Sequence, residues 1–444
     1  MNATLKVGIQ SILALLMLAG TYFLGNLVPR TDFQSTLGLF ILLFGLMLLI
    51  FALAEEKTPW LFIFLAGLLI RFSLFLAIPQ WSDDYARFIW DGELVRLQEN
   101  PYLQTPAQFM EVHPAEVTVI LDQVFPLLNS PQYYSVYPPL NQGIFWLAAK
   151  ASGGQIANGI IALRLILFLA EIAVFMLFIR VLDTLQLPQK LVILYWLNPL
   201  VIMEITGNLH FEGLVLLFLL AVVLAMQKGK MGMSGIFWSL AIGMKLLPLL
   251  LAPAFLAFGK VRKSVTFWVA TGLVLLLCFG PLILGHSWGN FFQSLRLYQG
   301  KFEFNASVYY LLREVGFWGV GYNPIATITP ILSLLTMALV IYFSWKKRPA
   351  TLPEIMDLWV LIYLTYLILQ PVVHPWYLIP ALGLSLLTGR STFLIWSFAA
   401  IFSYQAYVGI PMKEDPAFLM LEYVLVLGGI CLDYVFPKIK STKL

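Results

Sequence analysis

The sequence consists largely of long apolar runs that follow one another along most of the chain. A membrane-spanning helix needs about 20 mostly apolar residues. Runs of this kind cover residues 5–27, 35–54, 59–79, 157–182, 190–206, 209–227, 232–258, 264–285, 324–345, 355–373, 375–389, 391–410 and 417–436. Of the 444 residues, 60% are hydrophobic and 11% are charged, whereas about 25% of a soluble domain is charged. The pattern excludes a soluble protein and predicts an all-α polytopic membrane protein with about 11–14 transmembrane helices.

Composition excludes several other classes of protein. The two cysteines, Cys278 and Cys431, lie inside apolar runs and do not form a disulfide framework. The shortage of polar residues and of dense basic clusters excludes a disordered chain and a nucleic-acid partner. Lys6 is the only basic residue at the start of the first apolar run and no small-residue cleavage site follows that run, so we expect an uncleaved first helix. We therefore expect one transmembrane domain over residues 1–444, with the lipid bilayer as its surroundings.

The orientation follows from the basic residues of the short loops, which favour the cytoplasmic side. These residues are Lys228, Lys230, Lys260, Arg262, Lys263, Lys346, Lys347, Arg348, Arg390, Lys438, Lys440 and Lys443. They fall on one side only if residues 232–258 form a hairpin of two short helices that meet near Lys245 and Pro248. Both termini are then cytoplasmic, and residues 80–156 and 286–323 form extracytoplasmic loops. Residues 80–140 carry eight acidic and two basic residues, and a functional site is expected on this outer face.

The first external loop begins with the residues QWSDDYARFIWDGELVRLQENP at positions 80–101. They predict a helix that Ser82 caps and Pro101 ends. Asp84, Arg87 and Asp91 share one face of that helix, and its aromatic and aliphatic positions suit the membrane interface. The adjacent carboxylates of Asp83 and Asp84 have two interpretations. Either they only complement the helix dipole, or one of them is a general base whose pKa its neighbours adjust.

Several segments in a fixed order carry a resemblance to a known family. They read SDDYARFIWDG…NPY from residue 82, YPPLNQ at 137–142, WLNPLVIMEITGNLHFEGL at 196–214, AIGMKLLPLLLAP at 241–253 and HPWYLIPAL at 374–382. Over roughly residues 60–390 the chain resembles the GT-C superfamily of integral membrane glycosyltransferases. It is most similar to bacterial polyprenyl-phosphate-mannose-dependent α-mannosyltransferases. One departure concerns the sugar. This chain has Arg87-Phe88 and a Trp90-Asp91-Gly92-Glu93 ending where those enzymes usually have an aromatic–basic pair and a WDGR-like ending.

The resemblance implies a reaction and its partners. A polyprenyl-phosphate-linked sugar, with mannose expected, would be the donor, and a glycan or a lipid would be the acceptor. The active site would lie on the extracytoplasmic face of a bacterial inner (plasma) membrane. The catalytic aspartate would be Asp83 or Asp84, with Asp83 slightly favoured and Asp84 orienting the acceptor or a cation. No cofactor follows with certainty, and a requirement for a divalent cation stays open.

The chemistry of such a transfer identifies further candidates. The carboxylate would take a proton from the acceptor hydroxyl as it attacks the anomeric carbon, which inverts the anomer. The departing lipid phosphate needs cations at membrane depth, for which Lys245 is the first candidate and Arg296 or Arg313 the second. The other expected substrate-binding residues are Arg87 and Asp91 beside the acidic pair, Tyr137 at the acceptor groove, Asn208, His210 and Glu212 at the sugar hydroxyls, His374 beside the phosphate and Trp376 along the sugar site.

Several of these substrate-binding candidates also have a structural interpretation. Asn208, His210 and Glu212 can serve as helix caps or interhelix hydrogen-bonding groups, and His374 and Trp376 can anchor a helix at the interface. Arg71 and Arg164 are expected to pair structurally, Arg71 with Glu171 or Glu204. Two other functions stay open, namely a transporter or flippase of lipid-linked sugars and a membrane acyl- or phosphotransferase. No internal repeat of the kind found in transporters is visible.

Overall fold

The computed structural model describes residues 3–55, 60–409 and 411–436. The basic tail residues Lys438, Lys440 and Lys443 lie outside the described residues. Within this part of the chain, seven helices are long and apolar enough to cross a membrane, or eight if one bent pair counts as a single span. Shorter apolar helices occupy the remaining predicted spans. The expected all-α polytopic membrane protein is therefore confirmed.

The N-terminal helices form a hairpin followed by a short helix. They are α1 (Ala3–Asn26), α2 (Phe33–Leu53) and α3 (Trp60–Phe72). Asp32 caps α2 by accepting a hydrogen bond from the Ser35 amide at 3.1 Å. Arg71, near the end of α3, is fully buried and pairs with Glu171 at 2.9 Å. The predicted structural role of this arginine is confirmed, with Glu171 as its partner.

Residues 80–156, predicted to form the first external loop, fold into a group of short helices. They are α4 (Asp84–Arg96), α5 (Pro106–Val112), α6 (Val119–Val124) and α7 (Pro139–Ser152). Helix α4 begins at Asp84 with Asp83, not the predicted Ser82, at its N-cap, and it ends at Arg96 instead of continuing to Pro101. Its environment also differs from that of a surface-lying amphipathic helix. Every residue from Tyr85 to Leu94 is buried, because α6, α7 and α8 (Ile156–Thr184) pack around it. The loop thus forms a packed platform that fixes the position of the acidic pair.

A broken span follows α8. Residues Gln189–Trp196 and Pro199–Gly207 meet at an angle of 51°. Pro199 lacks an amide hydrogen, so the helix cannot continue through it, and Asn198 caps the new start by accepting from the Leu200 amide at 3.0 Å. The helical pieces are α9 (Ile193–Trp196), α10 (Pro199–Val201) and the π-helix Ile202–Gly207. Buried Arg164 donates to the carbonyls of Thr206 and Gly207, so its partners are backbone oxygens and its role is structural.

The middle of the chain contains the predicted hairpin. Its helices are α11 (Glu212–Gln227), α12 (Met231–Met244), α13 (Ala252–Ala257), α14 (Gly259–Arg262) and α15 (Val265–Leu284), with a 3-10 turn at Leu247–Leu251. Lys245 is extended, with φ −155° and ψ 136°. The indole of Trp238 on α12 donates to the Pro248 carbonyl at 2.9 Å and packs on Phe255 of α13 at 4.6 Å. The chain therefore turns back at Lys245, as the sequence predicts.

The C-terminal part completes the bundle. Its helices are α16 (Trp288–Lys301), α17 (Val308–Val320), α18 (Ile325–Lys347), α19 (Leu352–Leu369), α20 (Ile379–Thr388), α21 (Thr392–Ala399) and α22 (Pro416–Ile430). The 3-10 segments Pro375–Leu378 and Ala400–Val408 precede α20 and follow α21. An isolated bridge pairs Phe304 with Val372. It fixes the loop after α16 against the loop after α19, next to His374.

Candidate active site

The two adjacent aspartates at the start of α4 face different partners. The Asp83 carboxylate forms an ion pair with Arg30 at 2.9 Å, and 39% of its side chain is exposed. Asp84 instead approaches the ring of His210, with 3.7 Å between Oδ2 and Nε2. Its amide donates to Ser82 Oγ at 3.3 Å. A helix N-terminus favours a carboxylate, so the fold holds Asp84 where ionisation is stabilised.

His210 lies between two carboxylates. Its Nδ1 contacts Glu204 Oε2 at 2.7 Å, while its Nε2 faces Asp84. Both His210 and Glu204 are buried, and Glu204 also accepts a hydrogen bond from the Tyr404 hydroxyl. The π-helix Ile202–Gly207 carries Glu204, and Leu209 then takes a left-handed conformation with φ 68°. This local path turns the chain so that His210 returns beside Glu204.

Neighbouring opposite charges decide the protonation states of His210 and Asp84. Burial disfavours the charged imidazole, but its interactions with Asp84 and Glu204 outweigh that effect and raise the pKa of His210 to about 9. Burial likewise opposes ionisation of Asp84, yet the interaction with His210 lowers the pKa of this carboxyl below its usual value. At neutral pH the pair is therefore an imidazolium beside a carboxylate.

An aromatic stack covers the other side of His210. The indole of Trp376 lies between the rings of His210 and His374, with centroid distances of 3.7 and 4.3 Å. Phe304 extends the stack on His374 at 5.0 Å. Burial, reinforced by the charges of Lys245 and His210, lowers the pKa of His374 to about 3, so this ring is neutral. With both faces covered, Trp376 can meet a ligand only at its ring edge.

Lys245 brings a second cation to the cluster. At the break between α12 and the Leu247–Leu251 turn, its ammonium group pairs with Glu212 and lies 3.7 Å from the ring centroid of Tyr377. Burial lowers the pKa of Lys245, and the charge of Glu212 opposes that shift. The side chain is 31% exposed, so it can still reach a ligand. The structure thus brings Asp84, His210, Glu212, Lys245, His374 and Trp376 together from separate elements.

Arg87, Asp91 and Tyr137 lie on the loop side of this cluster. Arg87 pairs with Asp91 at 2.7 Å and donates to the Tyr133 carbonyl at 2.9 Å. Asp91 is completely buried and accepts a hydrogen bond from Gln142 of α7 at 2.9 Å, so it ties α4 to α7. Arg87 and Tyr137 line a small cleft together with Asp84.

The remaining predicted residues have other surroundings. The Asn208 side chain accepts a hydrogen bond from the Trp81 amide at 3.0 Å. Arg313 pairs with Glu303 and Glu314, and Arg296 is exposed on α16. Within the described residues, neither arginine forms an ion pair with a member of the Asp84 cluster. The cations around Asp84 are His210, Lys245 and, along the cleft, Arg87.

Three residues of the site were not among those predicted for it. They are Arg30, which pairs with Asp83, and Glu204 and Tyr404, which support His210. Glu204 lies in an apolar run and was considered only as a partner for Arg71. Its position six residues before His210 is the one sequence signal that could have linked the two.

In the part of the chain that the structure describes, no group of three or more His, Cys, Asp or Glu side chains is placed to hold a metal ion. The acidic groups nearest to Asp84 are already engaged with cations. Glu212 pairs with Lys245, and Asp83 pairs with Arg30.

Comparisons with known proteins bear on the identity of the chain. A family model described as alpha-(1->6)-mannopyranosyltransferase, N-terminal domain, of the MptA_B family matches residues 24–262. No curated protein and no solved structure gives a match. The matched region covers more than half of the chain and includes Asp83, Asp84, Glu204, His210 and Lys245. The chain therefore belongs to the MptA_B family of alpha-(1->6)-mannopyranosyltransferases and is a mannosyltransferase of the membrane.

Proposed function

We propose that the protein transfers mannose from a polyprenyl-phosphate donor to a hydroxyl of a glycan or lipid acceptor, with inversion at the anomeric carbon. The observation that carries this proposal is the position of Asp84, an ionised carboxylate flanked by the cations His210 and Lys245. A base and phosphate-binding cations in one site are what such a transfer needs.

The donor is inferred from the location of the cluster. We assign the site to the extracytoplasmic face of a bacterial inner membrane, an assignment that the basic loops and the hairpin at Lys245 support. Nucleotide sugars are cytoplasmic, and the sequence contains no glycine-rich phosphate loop. A sugar carried on a membrane lipid reaches the outer face through the bilayer, so a polyprenyl-phosphate sugar is the donor class that fits.

The proposed reaction gives separate roles to Asp84 and Lys245. Asp84 accepts the proton of the acceptor hydroxyl as its oxygen bonds to the anomeric carbon. The bond between that carbon and the phosphate oxygen breaks on the opposite side, and polyprenyl phosphate leaves with one more negative charge. Lys245 stabilises this charge. Displacement from one side inverts the anomer, so a β-linked donor yields an α-linked product.

Between the two aspartates, the geometry favours Asp84 as the base. Asp83 forms an ion pair with Arg30 at 2.9 Å, and Arg30 lies over the Tyr407 ring at 5.2 Å. Asp84 is the carboxylate that borders both His210 and the cleft lined by Arg87 and Tyr137. We therefore assign Asp84 to proton transfer and Asp83 to the support of the loop, in place of the slight preference for Asp83.

The test compares Asp84→Asn with Asp83→Asn in purified protein reconstituted in lipid nanodiscs. With polyprenyl-phosphate mannose as donor, we expect D84N to lose about 10²–10⁴-fold in transfer rate, with an unchanged melting temperature. D83N should lose less than tenfold. Full activity of D84N would overturn the assignment of the base, and a severe loss in D83N alone would move it to Asp83.

The donor and the stereochemistry are tested with the unmodified protein. Incubation with a panel of polyprenyl-phosphate sugars and nucleotide sugars, followed by mass spectrometry, should give product only from the lipid-linked donor. Nuclear magnetic resonance of the product should show an α-linkage formed from a β-linked donor. Transfer from a nucleotide sugar alone, or retention of the anomer, would contradict the proposal.

A further inference from the structure

We infer that Glu204 is a positioning residue for the transfer, because it holds the His210 ring doubly protonated and fixed with its Nε2–H facing Asp84. This inference rests on the proposed role of Asp84. Glu204 itself lies behind the histidine and does not face the acceptor. Its effect on the reaction passes through His210.

The contacts of His210 leave its ring little freedom. Nδ1 is held by Glu204 at 2.7 Å, and the ring face lies on Trp376 at 3.7 Å. Tyr404 donates to the other oxygen of Glu204 and so fixes the carboxylate in turn. The side chains of Glu204 and His210 are 0% and 3% exposed, so water does not compete for these contacts.

The two carboxylates beside His210 require a proton on each nitrogen of its ring. A carboxylate oxygen only accepts hydrogen bonds, and a neutral imidazole has one donor and one acceptor nitrogen. With Glu204 at Nδ1 and Asp84 at Nε2, a neutral ring would direct a lone pair at one of the two carboxylates. Protonation of both nitrogens removes that repulsion. The raised pKa of His210 agrees with this argument.

The charged groups around His210 come from several elements. They are Asp84 at the start of α4, Glu204 in the π-helix, Glu212 at the start of α11, Lys245 at the end of α12 and His374 before α20. Three carboxylates therefore face one ammonium group and a neutral imidazole, which favours a proton on His210. Asp84 and Glu204 both favour the charged imidazole, and Glu204 is the carboxylate at hydrogen-bond distance from the ring.

The protonated ring has a consequence at Asp84. Nε2 is buried and has no hydrogen-bond partner among the described residues. It lies 3.7 Å from Oδ2 of Asp84, slightly beyond hydrogen-bond length. A small approach closes this gap, and the imidazolium then keeps Asp84 ionised and oriented until the acceptor proton arrives. Without the charge of Glu204, His210 loses its proton at a lower pH and this support disappears.

The first test needs no substrate. The chain has four histidines, so isotope-labelled imidazole signals can be assigned by comparison with His210→Gln. We expect the protonation midpoint of His210 to fall by about 1–3 pH units in Glu204→Gln, the effect of removing an adjacent opposite charge. The midpoint of His113, which pairs with Glu116 in the external loop, should not change. An unchanged His210 midpoint in E204Q would overturn the inference.

The second test measures transfer from polyprenyl-phosphate mannose between pH 6 and 9. E204Q should lose more rate at pH 8.5 than at pH 6.5, about threefold more if the midpoint falls by one unit and more than about tenfold if it falls by two or three, because only the alkaline limb depends on the proton of His210. Glu204→Asp restores the charge and should recover part of the alkaline activity. A loss of equal size at every pH would mean a merely structural role and would overturn the inference.

A matched control neutralises a buried glutamate elsewhere. Glu93 is 1% exposed and pairs with Arg96, and Glu93→Gln should leave the shape of the pH profile and the His210 midpoint unchanged. A failure of the proposed function can be told apart from a failure of the role of Glu204. If the unmodified protein transfers nothing from the lipid donor, the proposed function is wrong. The histidine titration still decides the role of Glu204.

Discussion

Lys245 is the cation that the hairpin places beside Asp84, and its substitution tests the role of charge in the site. We expect Lys245→Met to lower kcat/KM for polyprenyl-phosphate mannose by about 10²-fold, the cost of removing one group that stabilises transition-state charge. Initial rates in nanodiscs measure it. Because Glu212 is 4% exposed and would be left unpaired, the double variant Lys245→Met/Glu212→Gln separates catalysis from folding. Arg296 is exposed on α16, and the kcat/KM of Arg296→Gln should stay within twofold of that of the unmodified protein. A K245M value in that range would contradict the role of Lys245 in stabilising charge.

At the scale of residues, the sequence identifies the site better than it identifies the contacts. Asp84, His210, Lys245 and His374 are polar groups beside apolar runs, where an ionisable residue is a functional candidate. The contact between Glu204 and Tyr404 joins residues 200 positions apart. No periodicity or spacing carries information across that distance. The same limit applies to Arg71, for which Glu171 and Glu204 were equal candidates until the packing separated them.

Among the elements, the contact of α4 with α7 decides where Asp84 is held. A Cβ on Gly92 would lie 2.3 Å from the Phe145 carbonyl oxygen, whereas one on Gly143 of α7 would meet nothing within 4 Å. We expect Gly92→Ala to lower the free energy of unfolding by about 1–3 kcal/mol and to reduce transfer by displacing α4. Gly143→Ala should leave both unchanged. Thermal unfolding in detergent and initial rates measure the pair, and equal behaviour of the two variants would contradict this account.

The elements themselves were largely predictable, because the apolar length of each run fixes the helix that a bilayer requires. The breaks also had sequence signals, namely Pro199 in the bent span and Pro248 after Lys245. The burial of α4 was not predictable. Its residues Tyr85–Leu94 look amphipathic in isolation, and only the packing of α6, α7 and α8 around them encloses the polar face. The π-helix that returns His210 to Glu204 had no recognisable pattern.

For the whole molecule, contacts between helix ends agree with the predicted topology. Lys347 and Arg390 both pair with Asp357, which joins ends expected in the cytoplasm. Arg30 pairs with Asp83, which joins ends predicted to lie on the outer side. Asp84, His210, Lys245 and His374 each lie at a helix end that the charge pattern predicts on the outer face.

The hairpin at Lys245 makes this topology testable. Positions 228 and 263 flank α12 and α13, and both are exposed, as is Glu116 in the external loop. If residues 231–257 turn back, as the packing of Trp238 on Phe255 requires, cysteines at 228 and 263 lie on one side of the membrane. In a background with Cys278 and Cys431 replaced by serine, we expect a membrane-impermeant thiol reagent to label Glu116→Cys in intact cells. Lys228→Cys and Lys263→Cys should react only after permeabilisation. Labelling of 228 and 263 from opposite sides would mean a single crossing, and Lys245 would then lie within the bilayer, away from the outer face.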